Sequence, residues 1–297
     1  NLIRAMLALG AAHDFLLYFR DQPAPDLFSG GARRVIPFPR LWTHARLSFE
    51  LLTAPRPDVL FVPAHVLPLM ALANAVPSVV TVHDLGYKHF PDAHPRAQRL
   101  YLDWSTRFSA RAATRLLADS RATRSDLVRF YRIPADKITV VYPGRDESLG
   151  RVDPAPVRAK YSLTGDYLLH VGTLQPRKNL VRLIEAFHTA TLQSPISNLQ
   201  LLLAGRPGWL STPTLRVAKA REHTDTVRLL EYVPDEDLAG LYSGARAFVF
   251  PSLYEGFGFP VLEAMACGTP VICSNTSSLP ELAGEAAFLV DPLDTSA

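Results

Sequence analysis

Glu255 and Glu263 are separated by seven residues around Gly256-Phe257-Gly258, in a run from Ala247 to Gly268 that reads as strand, loop and helix. Such a loop lies at a strand's C-terminal end, the edge where open parallel α/β sheets bind ligands. The two glycines let backbone N–H groups come close to a ligand. The helix that follows adds unsatisfied N–H groups and a positive dipole end, so an anion such as a pyrophosphate fits there. The two carboxylates then bracket the phosphate-binding amides, spaced along the helix axis. The plain alternative is that Glu255 caps the helix and Glu263 is solvated, but both glycines and the apolar flanks weigh against it.

A second constellation is Val171-Gly-Thr-Leu-Gln-Pro-Arg-Lys-Asn-Leu180, where Arg177 and Lys178 follow a strand and open a helix. A guanidinium fork and an ammonium suit a diphosphate whose negative charge grows as it leaves. Alone, an Arg-Lys pair is ordinary solvated surface. The third is Thr81-Val-His-Asp-Leu85, which ends a strand and is expected to turn His83 and Asp84 toward an interdomain cleft. A lone histidine there is more often structural. Asp84 is a candidate to orient its imidazole or to shape an acceptor site, and neither residue reads as a conventional inverting base.

These residues need elements to hold them. Short apolar runs alternate with helix-compatible stretches, twice over, which is the pattern of an α/β architecture with largely parallel sheets. The first series has strand candidates at Phe15–Phe19, Arg34–Phe38, Val59–Val62, Ser78–Val82, Arg115–Ala118 and Ile138–Tyr142, with helices at 94–112 and 121–131. Ser120 and Ser125-Asp126 are cap candidates for the latter. The second series has strands at Tyr167–Val171, Leu199–Ala204, Val227–Tyr232, Ala247–Pro251, Val271–Ser274 and Ala287–Val290, with helices at 179–192, 213–223, 235–243 and 258–266. The boundary is placed in the Pro- and Gly-interrupted stretch from Arg145 to Gly165, giving domains 1–150 and 151–297. The chain opens on a helix-like run with no strand before it and stops in a loop, so a missing start and a missing final helix are expected.

Composition excludes several classes. With 297 residues, 48% hydrophobic and 20% charged, the chain is long enough for two cored domains and far from disorder. Cys267 and Cys273 read as small core residues in a reducing compartment. Residues 59–82 carry no Asp, Glu, Lys or Arg, but Pro63, Pro68 and Pro77 divide them, so two strands joined by a short helix are predicted rather than a membrane span. Net charge is only +3, yet Arg96 to Arg132 holds nine arginines against Asp103, Asp119 and Asp126. That stretch is either a pair of solvated helix faces or a surface for anionic lipid head groups. Nothing in it supports nucleic-acid binding.

The Glu255–Glu263 run, with Thr269-Pro-Val-Ile272, Ser277-Ser-Leu-Pro-Glu281 and Tyr232-Val-Pro-Asp-Glu236, resembles the signature of retaining glycosyltransferase family four, in its mannosyltransferase-like branch. The resemblance implies a GT-B architecture: two Rossmann-like parallel-sheet domains facing across a cleft. It implies that Glu255 meets sugar hydroxyls, Glu263 the ribose, and Gly256, Phe257 and Gly258 the sugar and phosphate. Tyr232 and Val233 border the base, and Gly172, Thr173 and Leu262 complete the donor-binding set. His83 touches the transferred sugar. Many relatives have arginine where Thr173 stands, which shifts charge onto Arg177 beside Lys178.

The activity implied is transfer of a hexose, with GDP-mannose as first donor, to a glycan or lipid-linked acceptor in cell-surface polysaccharide synthesis. The anomeric configuration is retained and neither metal nor cofactor takes part. A cytoplasmic protein, peripheral on the inner face of the membrane, fits that work. Two alternatives stay open: a non-catalytic nucleotide-binding protein of the same fold, and a dehydrogenase, against which Val261 occupies the third glycine position of Gly-x-Gly-x-x-Gly.

Overall fold

The chain, described here from a computed structural model over residues 2–10, 12–71, 76–193, 198–222 and 226–296, forms two compact units. One comprises Asn1–His83, Tyr101–Asp119 and Arg124–Gly144; the other comprises Asp84–Leu100, Ser120–Thr123 and Arg145–Ala297.

In the first unit, α1 (Leu2–Leu9) precedes β1 (Leu16–Phe19) and β2 (Ala32–Val35), which pair in parallel with Leu16 opposite Ala32. The Ile36 amide still donates to Phe19, and the strand ends at Val35, short of the predicted Phe38. A π-helical turn at Thr43–Leu47 runs into α2 (Ser48–Thr53), a helix the sequence reading left out. Then β3 (Leu60–Val62), β4 (Ser78–Val82), β5 (Arg115–Ala118) and β6 (Ile138–Val140) form a parallel sheet in sequence order. The six predicted strands therefore fall into two sheets. Between β3 and β4 the helical turn is a 3-10 segment, Leu69–Ala71, and the predicted connecting helix otherwise falls on residues 72–75, outside the described residues. No described helix is long and apolar enough to cross a membrane.

The segments between β4 and β6 hold α3 (Gly86–His89), α4 (Arg96–Ala112) and α5 (Arg121–Tyr131). Ser120 caps α5 as predicted, its Oγ accepting from the Thr123 amide at 3.0 Å. Ser125 and Asp126 lie inside the helix; the other N-terminal amides, Arg121 and Ala122, donate to the Glu281 carboxylate instead.

In the second unit, α6 (Ala155–Lys160) lies in the stretch from Arg145 to Gly165 where the boundary is placed from sequence. After it come β7 (Tyr167–Val171), α7 (Leu180–Gln193), β8 (Gln200–Ala204), α8 (Thr212–Glu222), β9 (Val227–Glu231) and α9 (Asp235–Gly244). The unit ends with β10 (Ala247–Phe250), α10 (Phe259–Ala266), β11 (Val271–Ser274), α11 (Leu279–Ala283) and β12 (Phe288–Val290). The six strands are parallel in the order β12-β11-β10-β7-β8-β9. Winding proceeds from β7 outward to β9, then restarts on the other side at β10. The direction reverses between β7 and β10, and such a reversal leaves a crevice beyond the strand ends.

Strand periodicity explains the two cores. Tyr167, Leu169, Leu202, Phe248, Phe250 and Cys273 pack on one face of this sheet, whereas Leu201, Leu203 and Val249 pack on the other. Both faces are buried, which is why these strands read as continuous apolar runs. Cys267 and Cys273 are buried, unpaired core residues.

Candidate functional site

Residues that leave β7 and β10 meet at the crevice between them. Beyond β7, a 3-10 turn at Pro176–Lys178 ends at Asn179, which takes the left-handed conformation with φ 60°. The Asn179 side-chain amide donates to the carbonyls of Pro251 and Pro292, and the Leu253 amide donates to the Arg177 carbonyl at 2.9 Å. These bonds staple the β7 loop to the β10 loop. They bring Arg177 and Lys178 onto Glu255: Nη1 of Arg177 donates to Oε2 at 2.6 Å and Nζ of Lys178 to Oε1 at 2.7 Å. Arg177 also donates to the Tyr254 carbonyl, and the Lys178 ammonium lies 4.4 Å from the Phe250 ring centre. What the sequence presents as two constellations is one buried ion-pair cluster.

Electrostatics follow from that burial. Burial alone pushes the Glu255 carboxyl up, but the Lys178 and Arg177 charges overcome it and hold the group at about 2. Burial draws Lys178 down from its ordinary value, opposed by Glu255. Beneath the cluster, His170 is fully buried and held at about 4, chiefly by burial and then by the Lys178 charge. It is a neutral imidazole, with Nδ1 3.0 Å from the Val249 carbonyl. The Asp84 carboxylate reaches Arg177 electrostatically from α3's N-terminal side, where its Oδ1 accepts from the Gly86 amide at 2.8 Å.

Glu255 is further fixed through its backbone. Its amide donates to Ser277 Oγ, and the Ser278 hydroxyl lies within bonding distance of the carbonyls of Glu255 and Phe257. Gly256, Phe257 and Gly258 are all buried. Gly258 sits at φ +119° as the N-cap of α10, and a side chain there would strike Leu279 at 2.8 Å, so glycine is required. No side chain caps this helix; Pro260 brings no N–H to its first turn, and the Val261 amide donates back to the Gly258 carbonyl at 3.0 Å. Leu262 and Glu263 are half-buried on α10. Glu263 differs from Glu255: burial raises its carboxyl, and the Tyr242 hydroxyl donates to its Oε2 at 2.9 Å.

A pocket of about 410 Å³ opens beside this cluster at the ends of β7, β8 and β9. It is lined by Gly172, Thr173, Gly205, Arg206, Tyr232 and Val233, among others. Gly172, Thr173, Tyr232 and Val233 were legible from sequence, whereas Gly205 and Arg206 were not; Ala204-Gly-Arg at a strand's end was the available signal. The Arg206 guanidinium lies 4.3 Å from the centre of the Tyr232 ring, making a cationic, half-open stacking platform. Gly205 is obligatory, because a β-carbon there would fall 1.9 Å from the Gly172 carbonyl oxygen.

His83 stands at the end of β4 in the first unit. Its Nδ1 is 2.7 Å from Asp119 Oδ2 and its Nε2 is 3.0 Å from the Pro63 carbonyl. Asp119, not Asp84, therefore orients the imidazole, and Asp84 belongs to the other compact unit. Sequence spacing favoured the adjacent aspartate; the strand pairing of β4 with β5 supplies the distant one.

Comparisons with known proteins agree on the lineage. The Glycosyltransferase Family 4 profile matches residues 1–149 and that of Glycosyl transferases group 1 matches residues 158–297. The chain is 38% identical over 224 residues to O-antigen chain mannosyltransferase B of Escherichia coli, covering 74% of this chain and 58% of that protein. It is 31% identical over 230 residues to O-antigen chain mannosyltransferase RfbU of Salmonella typhimurium, covering 77% of this chain and 60% of the relative. The chain thus spans under two thirds of these relatives' length. Among solved structures, it is similar to WaaG, a glycosyltransferase involved in lipopolysaccharide biosynthesis, with TM-score 0.69 and 18% identity over 95% of this chain and 78% of that one. It is also similar to Anabaena HepE in complex with UDP and glucose, with TM-score 0.69 and 20% identity over 89% of this chain and 74% of that one. At those identities the structures speak for the fold alone, which is GT-B with two Rossmann-like domains. With the two profiles spanning both halves, the chain belongs to glycosyltransferase family 4.

Proposed function

We propose that this protein transfers a hexose, with mannose first, from a nucleotide sugar to a glycan or lipid-linked acceptor in cell-surface polysaccharide synthesis. The observation that carries the reading is the Arg177–Glu255–Lys178 cluster at the β7/β10 crevice, adjoining the pocket walled by Tyr232 and Arg206. A base fits between the Arg206–Tyr232 platform and the strand-end backbones, and a diphosphate fits the two cations and the amides of the Gly256–Gly258 loop. The names of the O-antigen mannosyltransferase relatives favour mannose, and GDP-mannose is the donor we assign.

In this reading the acceptor hydroxyl oxygen bonds to the anomeric carbon on the face from which the diphosphate departs. The bond from that carbon to the phosphate oxygen breaks, and the hydroxyl proton passes to a donor phosphate oxygen. Configuration is retained. Arg177, Lys178 and the amides of Gly256 to Gly258 stabilise the charge gathering on the leaving group. Glu255 and His83 hold sugar hydroxyls, Asp84 lies on the sugar or acceptor side, and Glu263 holds the ribose. The cations carry the work that a divalent metal does elsewhere, so no metal or cofactor is required.

The test is a panel of GDP-mannose, UDP-glucose, UDP-GlcNAc and dTDP-rhamnose with the protein in EDTA. Transfer or slow hydrolysis of GDP-mannose supports the reading, and inertness toward every donor overturns it. Retention is read from the anomeric coupling of the product by NMR.

We also propose a cytoplasmic protein that rests on the inner face of the membrane. On α4 the exposed Tyr101 and Trp104 alternate with exposed Arg107 and Arg111, and Trp104 stacks on Phe108. Aromatic rings and arginines together favour an anionic interface. Sedimentation with anionic but not zwitterionic vesicles is the expected result.

A further inference from the structure

Glu263, half-buried in the middle of α10, is held by a single side-chain donor among the described residues. Tyr242, on α9, is fully buried, and its hydroxyl donates to only one carboxylate oxygen of Glu263, Oε2. The tyrosine is itself immobilised. Its ring packs edge-on against Phe248 at 5.4 Å between centroids, and its carbonyl accepts from Thr269 Oγ1 at 2.6 Å and from the Ala245 amide. A rigid donor on a single oxygen selects one carboxylate orientation and leaves the other oxygen as the directed acceptor.

We infer that Tyr242 is a positioning residue that orients Glu263 to read the ribose hydroxyls of the nucleotide, and so sets selectivity for ribonucleotide over deoxynucleotide donors. This rests on the assignment of Glu263 to the ribose.

The chemistry of the pair supports it. Burial, followed by the Glu263 charge, pushes the Tyr242 phenol well above its ordinary range, so it remains a donor. Burial raises the Glu263 carboxyl, as do Asp235 and Asp146, and the Tyr242 bond is what opposes them. Without that bond the carboxylate swings between rotamers and tends toward its protonated form, and both changes weaken its acceptance of two hydroxyl protons. The phosphate cradle at Lys178 and Arg177 uses neither residue. Loss of Tyr242 therefore acts on the sugar of the nucleoside and spares the diphosphate.

The experiment compares GDP with 2′,3′-dideoxy-GDP by calorimetry, and UDP with its dideoxy analogue, in the parent protein, Tyr242→Phe, Glu263→Ala and the double variant. The parent is expected to prefer the ribonucleotide at least tenfold. Tyr242→Phe should bring that preference to within about threefold while dideoxy-GDP binding stays unchanged, and it should add nothing in the Glu263→Ala background. Thermal unfolding confirms that each variant is folded. Equal weakening of both nucleotides by Tyr242→Phe, or an intact preference, overturns the positioning role while the ribose assignment stands. A parent that shows no preference, or binds none of these nucleotides, overturns the ribose assignment and the inference with it.

Discussion

Lys178 Nζ and Arg177 Nη1 occupy opposite oxygens of Glu255, at 2.7 and 2.6 Å, so one buried carboxylate balances two buried cations. Asp84 also acts on both cations electrostatically, so their positive charge is shared between two carboxylates in a water-poor crevice, where an incoming diphosphate competes for it. Removing Glu255 would leave both cations without their directly bonded partner. Glu255→Ala is expected to destabilise the protein by about 3–5 kcal/mol, the usual cost of orphaning a buried ion-pair partner. Chemical denaturation at pH 7 measures it. Lys178→Met, which leaves Glu255 paired one to one with Arg177, should cost less.

The same pair makes stability depend on pH. The carboxyl sits at about 2 in the folded protein against an ordinary 4.5, so the unfolded chain takes up the proton first as pH falls. Its contribution is complete above pH 4.5 and disappears as pH drops toward 2. A plot of unfolding free energy against pH should fall across that window in the parent and flatten there in Glu255→Gln.

Turnover should depend on the cations more than donor affinity does. Charge on the diphosphate grows in the transition state, so Lys178→Ala is expected to lower kcat by roughly 10²–10³, with a smaller rise in donor KM. Steady-state kinetics with the active donor decides it. A KM effect alone would reduce Lys178 to ground-state binding.

At the pocket, Arg206→Ala removes the cation over Tyr232. A stacking interaction of this kind is worth about 0.5–2 kcal/mol, so nucleotide affinity should fall about two- to thirtyfold with kcat nearly unchanged. Gly205→Ala is the more drastic change, because its β-carbon would overlap the Gly172 carbonyl. Loss of nucleotide binding together with a lowered melting temperature is the expected outcome.

For His83, Asp119→Asn keeps the shape of the pair and removes the negative charge from the atom nearest Nδ1. If His83 acts on the transferred sugar, turnover should fall about tenfold to a hundredfold, comparable to loss of a second-layer hydrogen-bond partner elsewhere. Asp84→Asn should leave the imidazole's orientation untouched, and the histidine NMR shifts check that difference.

Local pattern carried much of this protein. Tyr167–Val171 and Val271–Ser274 match the observed strands residue for residue, because strands buried on both faces demand continuous apolar runs. Helices α2, α6 and α11 were missed since each has only five or six residues, too few for periodicity to register. Glu255, Glu263, Arg177 and Lys178 were legible as types at meaningful spacing around glycines and strand ends.

What the sequence could not carry is pairing between residues far apart along the chain. Arg177 and Glu255 meet because β7 and β10 are neighbours across the reversal in winding, although 78 positions separate them. Asp119 reaches His83, and Arg206 covers Tyr232, through the same kind of strand adjacency. The chain by itself determined the chemical groups and the elements that bear them, since both are written in local order. Which group faces which was decided by sheet order, and sheet order is set by burying both faces of each sheet at once, a property of the whole fold.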